Sequence, residues 1–147
     1  MIAYTIIISY VDFTTNKYYL DKWPRMIMKQ KIELLLLLII HNFIYVFLYF
    51  TIFFIISGCI KDSTFIAIYL IVCCTTKLHW KTNEEKCFIT EWQNNVVGVK
   101  GIGFRDLYNV ITNTYSENEA NNVRSYFYHA AISTNIIFSA YYLLKKS

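Results

Sequence analysis

The chain has 147 residues, of which 56% are hydrophobic and only 16% charged, with a formal net charge of +4. A soluble domain is about 45–50% apolar and about 25% charged, and the apolar excess here is concentrated in a few long runs, which indicates a membrane protein. The positive charge is carried mostly by lysines at segment ends and forms no basic stripe interleaved with aromatics, so it suits an anionic membrane surface and excludes a nucleic-acid footprint. Four glycines and one proline predict a mostly helical chain.

The N-terminal segment is apolar but short. The run "IAYTIIISYV" over residues 2–11 has only ten residues, too few to span a bilayer as a helix, so a short strand and a surface helix both stay open. Another alternative is a functional start at Met26 or Met28, which would make residues 1–25 dispensable. We therefore divide the chain into an N-terminal extension, residues 1–31, and a single polytopic membrane domain, residues 32–147.

Two uncharged runs predict the first two transmembrane helices. Residues 34–60 lie between Glu33 and Lys61 without a charge, and residues 64–80 follow after a turn at Lys61–Ser63. A span needs about 20 residues, with about 17 as the lower limit. Lys77 is expected to reach the headgroups, and Trp80 suits the interface. So short a turn predicts an antiparallel hairpin.

A third span is predicted over residues 125–144. Between Arg124 and Lys145 the chain is uncharged, and the pattern Ser116–Glu119 before it matches a capping box. Polar residues within this span favour contacts with other helices over contacts with lipid. These polar residues are His129, Ser133, Thr134, Asn135 and Ser139. We therefore expect partners among other membrane proteins or self-association through this span.

The polar stretch between the second and third spans predicts a short interfacial helix. Residues 96–111 are semi-apolar, but Lys100, Arg105 and Asp106 interrupt them. We therefore expect a short surface or re-entrant helix from about Phe104 to Thr112 and no full span. The predicted fold class is therefore an all-α membrane protein with about three transmembrane helices in an up-down-up bundle. Lysines and arginines are denser before the first span than in the turn after it, so the positive-inside rule puts the N-terminus on the cytosolic side.

The up-down-up path brings the three histidines, His41, His79 and His129, toward one membrane face, together with Cys87 and Glu91. Imidazole and thiolate suit zinc, and paired imidazoles suit haem iron, so these residues are a candidate metal or polar cluster. The alternative is interhelical hydrogen bonding without a cofactor. The chain has no C-x-x-C pair, and its four cysteines are expected to be free thiols.

The stretch "CFITEW", residues 87–92, has two interpretations. Cys87 is a reactive thiol if a base lies nearby, and from the sequence we name His79 as the only candidate base. In the other interpretation Thr90 caps a short interfacial helix, and Phe88, Ile89 and Trp92 dip into the membrane. Trp80 and Trp92 would then anchor the two ends of the stretch at headgroup level.

The residues His41, His79-Trp80, Cys87-Phe88-Ile89-Thr90-Glu91 and Gly103-Phe104 carry a resemblance. The chain resembles small multi-pass membrane proteins of large DNA viruses. It is also similar to a bacterial membrane family of unknown function with a histidine in its first span and the pattern C-P-L-T-x-x-E after a later one. The resemblance covers about residues 34–144 and implies a polytopic membrane protein, without implying an activity.

Nothing in the sequence completes a catalytic set. The first functional hypothesis is a structural or interaction component of a membrane, which needs no cofactor. The alternative is a membrane-bound metal, haem or redox protein that uses His41, His79, His129 and Cys87.

Overall fold

The structure is a computed structural model, which describes the backbone of residues 1–83, 87–100 and 118–146 and the side chains of residues 1–83, 87–100 and 128–145. These residues form helices and turns and no strand, which confirms the all-α class. In chain order the helices are α1 (Ile2–Thr15), α2 (Lys17–Lys22), a 3-10 turn (Trp23–Arg25), α3 (Met28–Ile56), α4 (Ser63–Thr82), α5 (Phe88–Val97) and α6 (Asn118–Lys146).

The chain divides into two compact units. The first comprises residues 1–44 and 86–121, and the second comprises residues 45–85 and 122–147. Helix α3 therefore contributes its first part to one unit and its last part to the other. Each unit is described by itself below.

The first unit is built on the early part of α3. Its core contains the buried side chains Tyr19, Met26, Leu34, Leu38 and Val97, so α2, the segment before α3, α3 and α5 all contribute to it. Burying one large apolar side chain stabilises a fold by about 1.5–3 kcal/mol. The segment assigned to the N-terminal extension thus supplies two of the five core residues, although whether it is dispensable stays a prediction.

Helix α1 packs on the same part of α3. The first apolar run forms a helix and not a strand, and its Thr5, Ile8, Ser9 and Asp12 are buried. The Ser9 hydroxyl donates to the carbonyl of Thr5, one turn back, and also lies 3.3 Å from the Leu38 carbonyl of α3. A polar contact to the backbone of α3 therefore accompanies the packing of α1.

Helix α3 ends before its apolar run does. The run continues to Ile60, but the helix stops at Ile56 because Gly58 adopts φ +73°, a left-handed conformation that glycine accepts readily. The amide of Ile60 then donates to the Phe54 carbonyl, closing the helix end. On the other side of the turn, Asp62 caps α4 by accepting the amide N–H of Phe65 at 2.8 Å.

In the second unit, polar side chains of two helices share one backbone carbonyl of α3. Tyr69 of α4 donates its hydroxyl to the Leu48 carbonyl of α3 at 2.6 Å, and Asn135 of α6 donates its amide to the same oxygen at 2.8 Å. Lys77 of α4 donates to the Ser133 hydroxyl of α6 at 2.5 Å. Each of the three pairs that α3, α4 and α6 form in this unit is therefore linked by a polar contact.

Helix α5 starts earlier than the capping interpretation predicts. The N-cap is Cys87, three residues before Thr90, so the prediction that Thr90 caps this helix is wrong. The helix ends at Gly98, whose φ is +72° and whose amide donates to the Asn95 carbonyl. A helix over residues 104–112 and the side chains of the Ser116–Glu119 capping box lie outside the described residues.

Within the described part of the chain, α3 and α4 are the two helices long and apolar enough to cross a membrane. They correspond to the first two predicted spans. The third predicted span lies within α6, a helix of 29 residues that is not among them. Its polar side chains lower its hydropathy, so a third span stays a prediction.

A candidate thiol–imidazole site

Two helices of the first unit bring a thiol and an imidazole together. Cys87, at the start of α5, has its Sγ 3.5 Å from Nε2 of His41 on α3. On the other side of the ring, Nδ1 of His41 lies 3.4 Å from Oε1 of Gln93, also on α5. His41 and Gln93 are buried, with 6% and 3% of their surfaces exposed, while Cys87 is half-buried.

The orientation of Gln93 determines the role of each ring nitrogen. An amide oxygen only accepts hydrogen bonds, so the His41 Nδ1 facing it carries the proton. The opposite nitrogen, Nε2, then has a lone pair directed at the Cys87 thiol in the neutral ring. Nucleophile, base and orienting group therefore occur in the order that thiol nucleophiles use.

A second contact fixes α5 beside α3. The Trp92 indole N–H donates to Oε1 of Glu33 at 2.7 Å, and the ring of Trp92 packs against Phe88 with centroids 5.8 Å apart. Glu33 lies two turns before His41 on α3, so the indole and the thiol contact the same helix. The predicted interface anchor Trp92 thus also positions the residue pair.

The surroundings of Cys87 lower the pKa of its thiol to about 7, from an ordinary value near 9. Burial acts in the opposite direction and favours the neutral thiol. The hydrogen bond and the charge of His41 lower the pKa, and so do the backbone amides of Thr90 and Ile89 at the open end of the helix. Together these effects outweigh burial. A helix N-terminus stabilises a thiolate in this way.

Two buried polar groups on α5 have no hydrogen-bond partner. They are Nε2 of Gln93 and the hydroxyl of Thr90. Buried polar groups in folded proteins are nearly always hydrogen-bonded, because leaving one unpaired costs about 1–3 kcal/mol. The side chain that orients His41 therefore also offers an unused N–H donor.

The other predicted histidines belong to the second unit. His129 of α6 packs edge-on against Trp80 of α4, with centroids 5.5 Å apart, and the carbonyl of His79 accepts the amide N–H of Asn83. The prediction that His79 is the only candidate base for Cys87 is wrong, because His41 supplies the imidazole. Trp80, expected as an interface anchor, contacts Tyr128 and His129.

Glu91 lies in the first turn of α5 and is half-buried. An acidic side chain there suits the positive end of the helix. No group of three or more His, Cys, Asp or Glu side chains able to hold a metal occurs in the part of the chain that the structure describes. Of the candidate ligands, Cys87 and His41 are in contact.

Sequence reasoning missed Gln93. A signal for it was available, because the bacterial pattern C-P-L-T-x-x-E, counted from Cys87, has its acidic position at residue 93, where this chain has glutamine. The up-down-up path had placed Cys87 and His41 in one candidate cluster, but their direct contact joins residues 46 apart in the chain and no local pattern predicts it.

No family model, curated protein or solved structure matches this chain. The functional argument therefore rests on the residues and their contacts. The resemblance to viral and bacterial membrane proteins stays a prediction.

Proposed function

We propose that this protein is an integral membrane protein and serves as a structural or interaction component of its membrane. The observation that carries the proposal is that many large apolar side chains are exposed along its helices, while polar side chains of the same helices are buried. The viral membrane implied by the resemblance is part of the same proposal.

Helix α1 supports this proposal most directly. Its buried side carries Thr5, Ser9 and Asp12, while Ile2 and Ile7 are 71% and 60% exposed. A helix on the surface of a soluble protein buries its apolar side and exposes its polar side. The reversed arrangement is favourable when lipid replaces water around the exposed side.

The longer helices combine buried polar residues with exposed apolar residues. Polar residues of α3 and α6 are buried, and they include His41, Asn42, Thr51, Asn135 and Ser139. Large apolar residues are exposed on α3, α4 and α6, and they include Phe53, Ile56, Ile68, Ile71, Ile137 and Leu144. The most apolar window of α4 is only 17% buried, although the core helix of a soluble protein would be mostly buried.

We further propose three spans, α3, α4 and α6, with a cytosolic N-terminus. Charge asymmetry supports the orientation. The contacts of Tyr69 and Asn135 with the Leu48 carbonyl support a third span, because polar side chains inside a bilayer are satisfied by neighbouring helices. Partners would be other membrane proteins or a second copy that contacts α6.

A charge substitution at an exposed apolar position tests the proposal. Ile71, near the middle of α4, is 60% exposed. If α4 spans a bilayer, Ile71→Lys should cost about 2.5–3.5 kcal/mol of insertion free energy, whereas an exposed surface position in water would change by less than about 0.5 kcal/mol.

The control is Cys59→Lys, at an exposed position in the turn between α3 and α4. Membrane integration is measured as the fraction that stays with the bilayer after alkaline carbonate extraction. Release of the unmodified protein into the supernatant, or equal extraction of the Ile71→Lys and Cys59→Lys proteins, would contradict the proposal.

The contact between Cys87 and His41 favours a second candidate, the membrane-bound metal, haem or redox protein. Two ligands are in contact among the described residues, and a metal or haem would require others. Its test is metal content and the absorption spectrum of detergent-purified protein, compared with the single His41→Ala, His79→Ala and His129→Ala variants. A preparation without metal or a haem band removes this candidate.

A further inference from the structure

We propose that Cys87, His41 and Gln93 form a nucleophilic site at which the Cys87 sulfur accepts an acyl group from a long-chain acyl thioester. This inference goes beyond the structural role proposed above. Only its preference for a long chain rests on the membrane location.

The contacts of the three side chains define their roles. Cys87 Sγ lies 3.5 Å from His41 Nε2, within reach for proton transfer. Gln93 Oε1 faces Nδ1 on the other side of the ring and orients the imidazole. Cys87 and His41 would touch the reacting atoms, and Gln93 is a positioning residue that acts through His41.

Acyl transfer fits this unit better than disulfide chemistry. The chain has four cysteines, and Cys59, Cys73 and Cys74 all belong to the second unit. The first unit therefore contains no second thiol to resolve a disulfide with Cys87. An imidazole positioned as a base is, in contrast, what a thiol needs to attack a carbonyl.

An unpaired donor beside Cys87 indicates the chemistry of the ligand. The amide N–H of Thr90 donates to the Cys87 sulfur, and the hydroxyl oxygen of the Thr90 side chain is buried without a hydrogen-bond partner. A hydroxyl group can donate its hydrogen to an oxygen that carries negative charge. The oxyanion that forms when a thiolate attacks a carbonyl is such an oxygen.

The apolar residues on α5 indicate the chain length. Phe88 directly follows Cys87 and is 55% exposed, and Trp92, one turn further, is 42% exposed. In the proposed membrane location, these rings face lipid beside the thiol. An acyl chain that partitions into lipid would then bring its thioester carbonyl to the sulfur.

The reaction balances without an oxidant or a reductant. His41 takes the proton of the Cys87 thiol, and the sulfur forms a bond to the carbonyl carbon of the thioester. The tetrahedral oxyanion collapses, the original carbon–sulfur bond breaks, and the leaving thiolate takes the proton from His41. The products are S-acyl-Cys87 and a free thiol.

The test uses the full chain in phosphatidylcholine vesicles with an alkyne-tagged sixteen-carbon acyl-coenzyme A as the probe. We expect labelling at pH 7 that Cys87→Ser abolishes and that neutral hydroxylamine removes, as it does for thioesters. Cys59→Ser and Cys74→Ser remove exposed thiols outside the site and should leave the labelling unchanged. Equal labelling of Cys59 and Cys87 would overturn the proposal.

The role of His41 is tested by the pH profile. His41→Ala should lower the labelling rate at pH 7 at least tenfold. Raising the pH to 9, where an ordinary thiol ionises, should restore most of that rate. A rate unaffected at pH 7 would overturn the proposal. If His41→Ala fails to fold, the wild-type profile decides, since half-maximal labelling near pH 7 supports the site and a midpoint near that of a free cysteine overturns it.

Gln93 is tested with a conservative pair. Gln93→Leu removes the acceptor for Nδ1 and should lower the rate and shift the profile upward, while Gln93→Glu keeps an acceptor and should retain the rate. Equal rates in both variants would overturn the positioning role.

An acetyl-coenzyme A probe separates the two proposals. Labelling by acetyl as fast as by the long chain would overturn the long-chain class. Carbonate extraction of the same samples reports the membrane location independently. A protein that is acylated but released by carbonate refutes the membrane proposal. A protein that stays with the bilayer but is not labelled refutes the acyl site.

Discussion

Trp92 donates its indole N–H to the carboxylate of Glu33 at 2.7 Å, which links α5 to α3 beside the thiol–imidazole pair. A hydrogen bond to a charged group contributes about 1.5–3 kcal/mol, and partial exposure of both residues reduces this to about 1 kcal/mol. We expect that coupling energy from a double-mutant cycle of Trp92→Phe and Glu33→Ala, measured by reversible unfolding in detergent. Additive single effects would show that the contact is not formed in solution.

The lowered pKa of Cys87 makes the stability of the first unit depend on pH. Because the folded pKa is about 7 and the ordinary value is near 9, the thiolate contributes stability that is complete above pH 9 and is lost as the pH falls to 7. The free energy of unfolding of the wild type, relative to Cys87→Ser, should therefore rise by up to about 2–3 kcal/mol between pH 7 and pH 9. Chemical denaturation at four pH values measures this free energy of unfolding, with Cys59→Ser as the control. A difference in unfolding free energy between wild type and Cys87→Ser that does not change with pH would contradict the expectation.

Removing the N-terminal segment should weaken the first unit. A chain that starts at Met26 lacks α1 and loses Tyr19 from the core cluster, so its remaining core residues gain exposure. We expect a lower thermal midpoint and faster proteolysis of α5 than in the full chain. Tyr19→Ala is the matched point variant and should shift the midpoint in the same direction. An unchanged midpoint in the truncated chain would support the alternative that residues 1–25 are dispensable.

The two donors to the Leu48 carbonyl should be partly redundant. Polar contacts between helices in membranes contribute about 0.6 kcal/mol on average and up to about 1.7 kcal/mol. Tyr69→Phe or Asn135→Leu alone should therefore cost less than half as much as both together, because one donor remains in each single variant. Steric-trapping or detergent unfolding measures the three variants. Single effects that sum to the double effect would indicate independent contacts.

Turn formation at Gly58 offers a backbone test. The residue has φ +73°, and a Cβ there would meet Lys61 Cε at 3.6 Å, an ordinary contact. The cost of Gly58→Ala thus comes from conformation and should be about 1 kcal/mol, while Gly58→Asn should be tolerated better because asparagine enters the left-handed region more easily. Thermal unfolding compares the two variants, and equal midpoints would contradict this explanation.

The helical class and the first two apolar spans were predictable because both depend on local composition. The end of α3 was not predicted, since the apolar run continues past the glycine that stops the helix. The start of α5 was assigned to Thr90 because threonine is a common N-cap and cysteine is not. The pairing of Cys87 with His41 depends on the rotation of α3 and on how α5 packs against it, and neither is encoded in a local pattern.

The Leu48 acceptor has a consequence for genetics. Its oxygen belongs to the backbone, so every amino acid at position 48 keeps it, and substitutions there act only through side-chain packing. Loss of Tyr69 or Asn135 therefore has no compensating exchange at position 48. A suppressor screen should instead recover changes at other positions of the three helices, and comparison of natural variants would find no covariation between residue 48 and either donor.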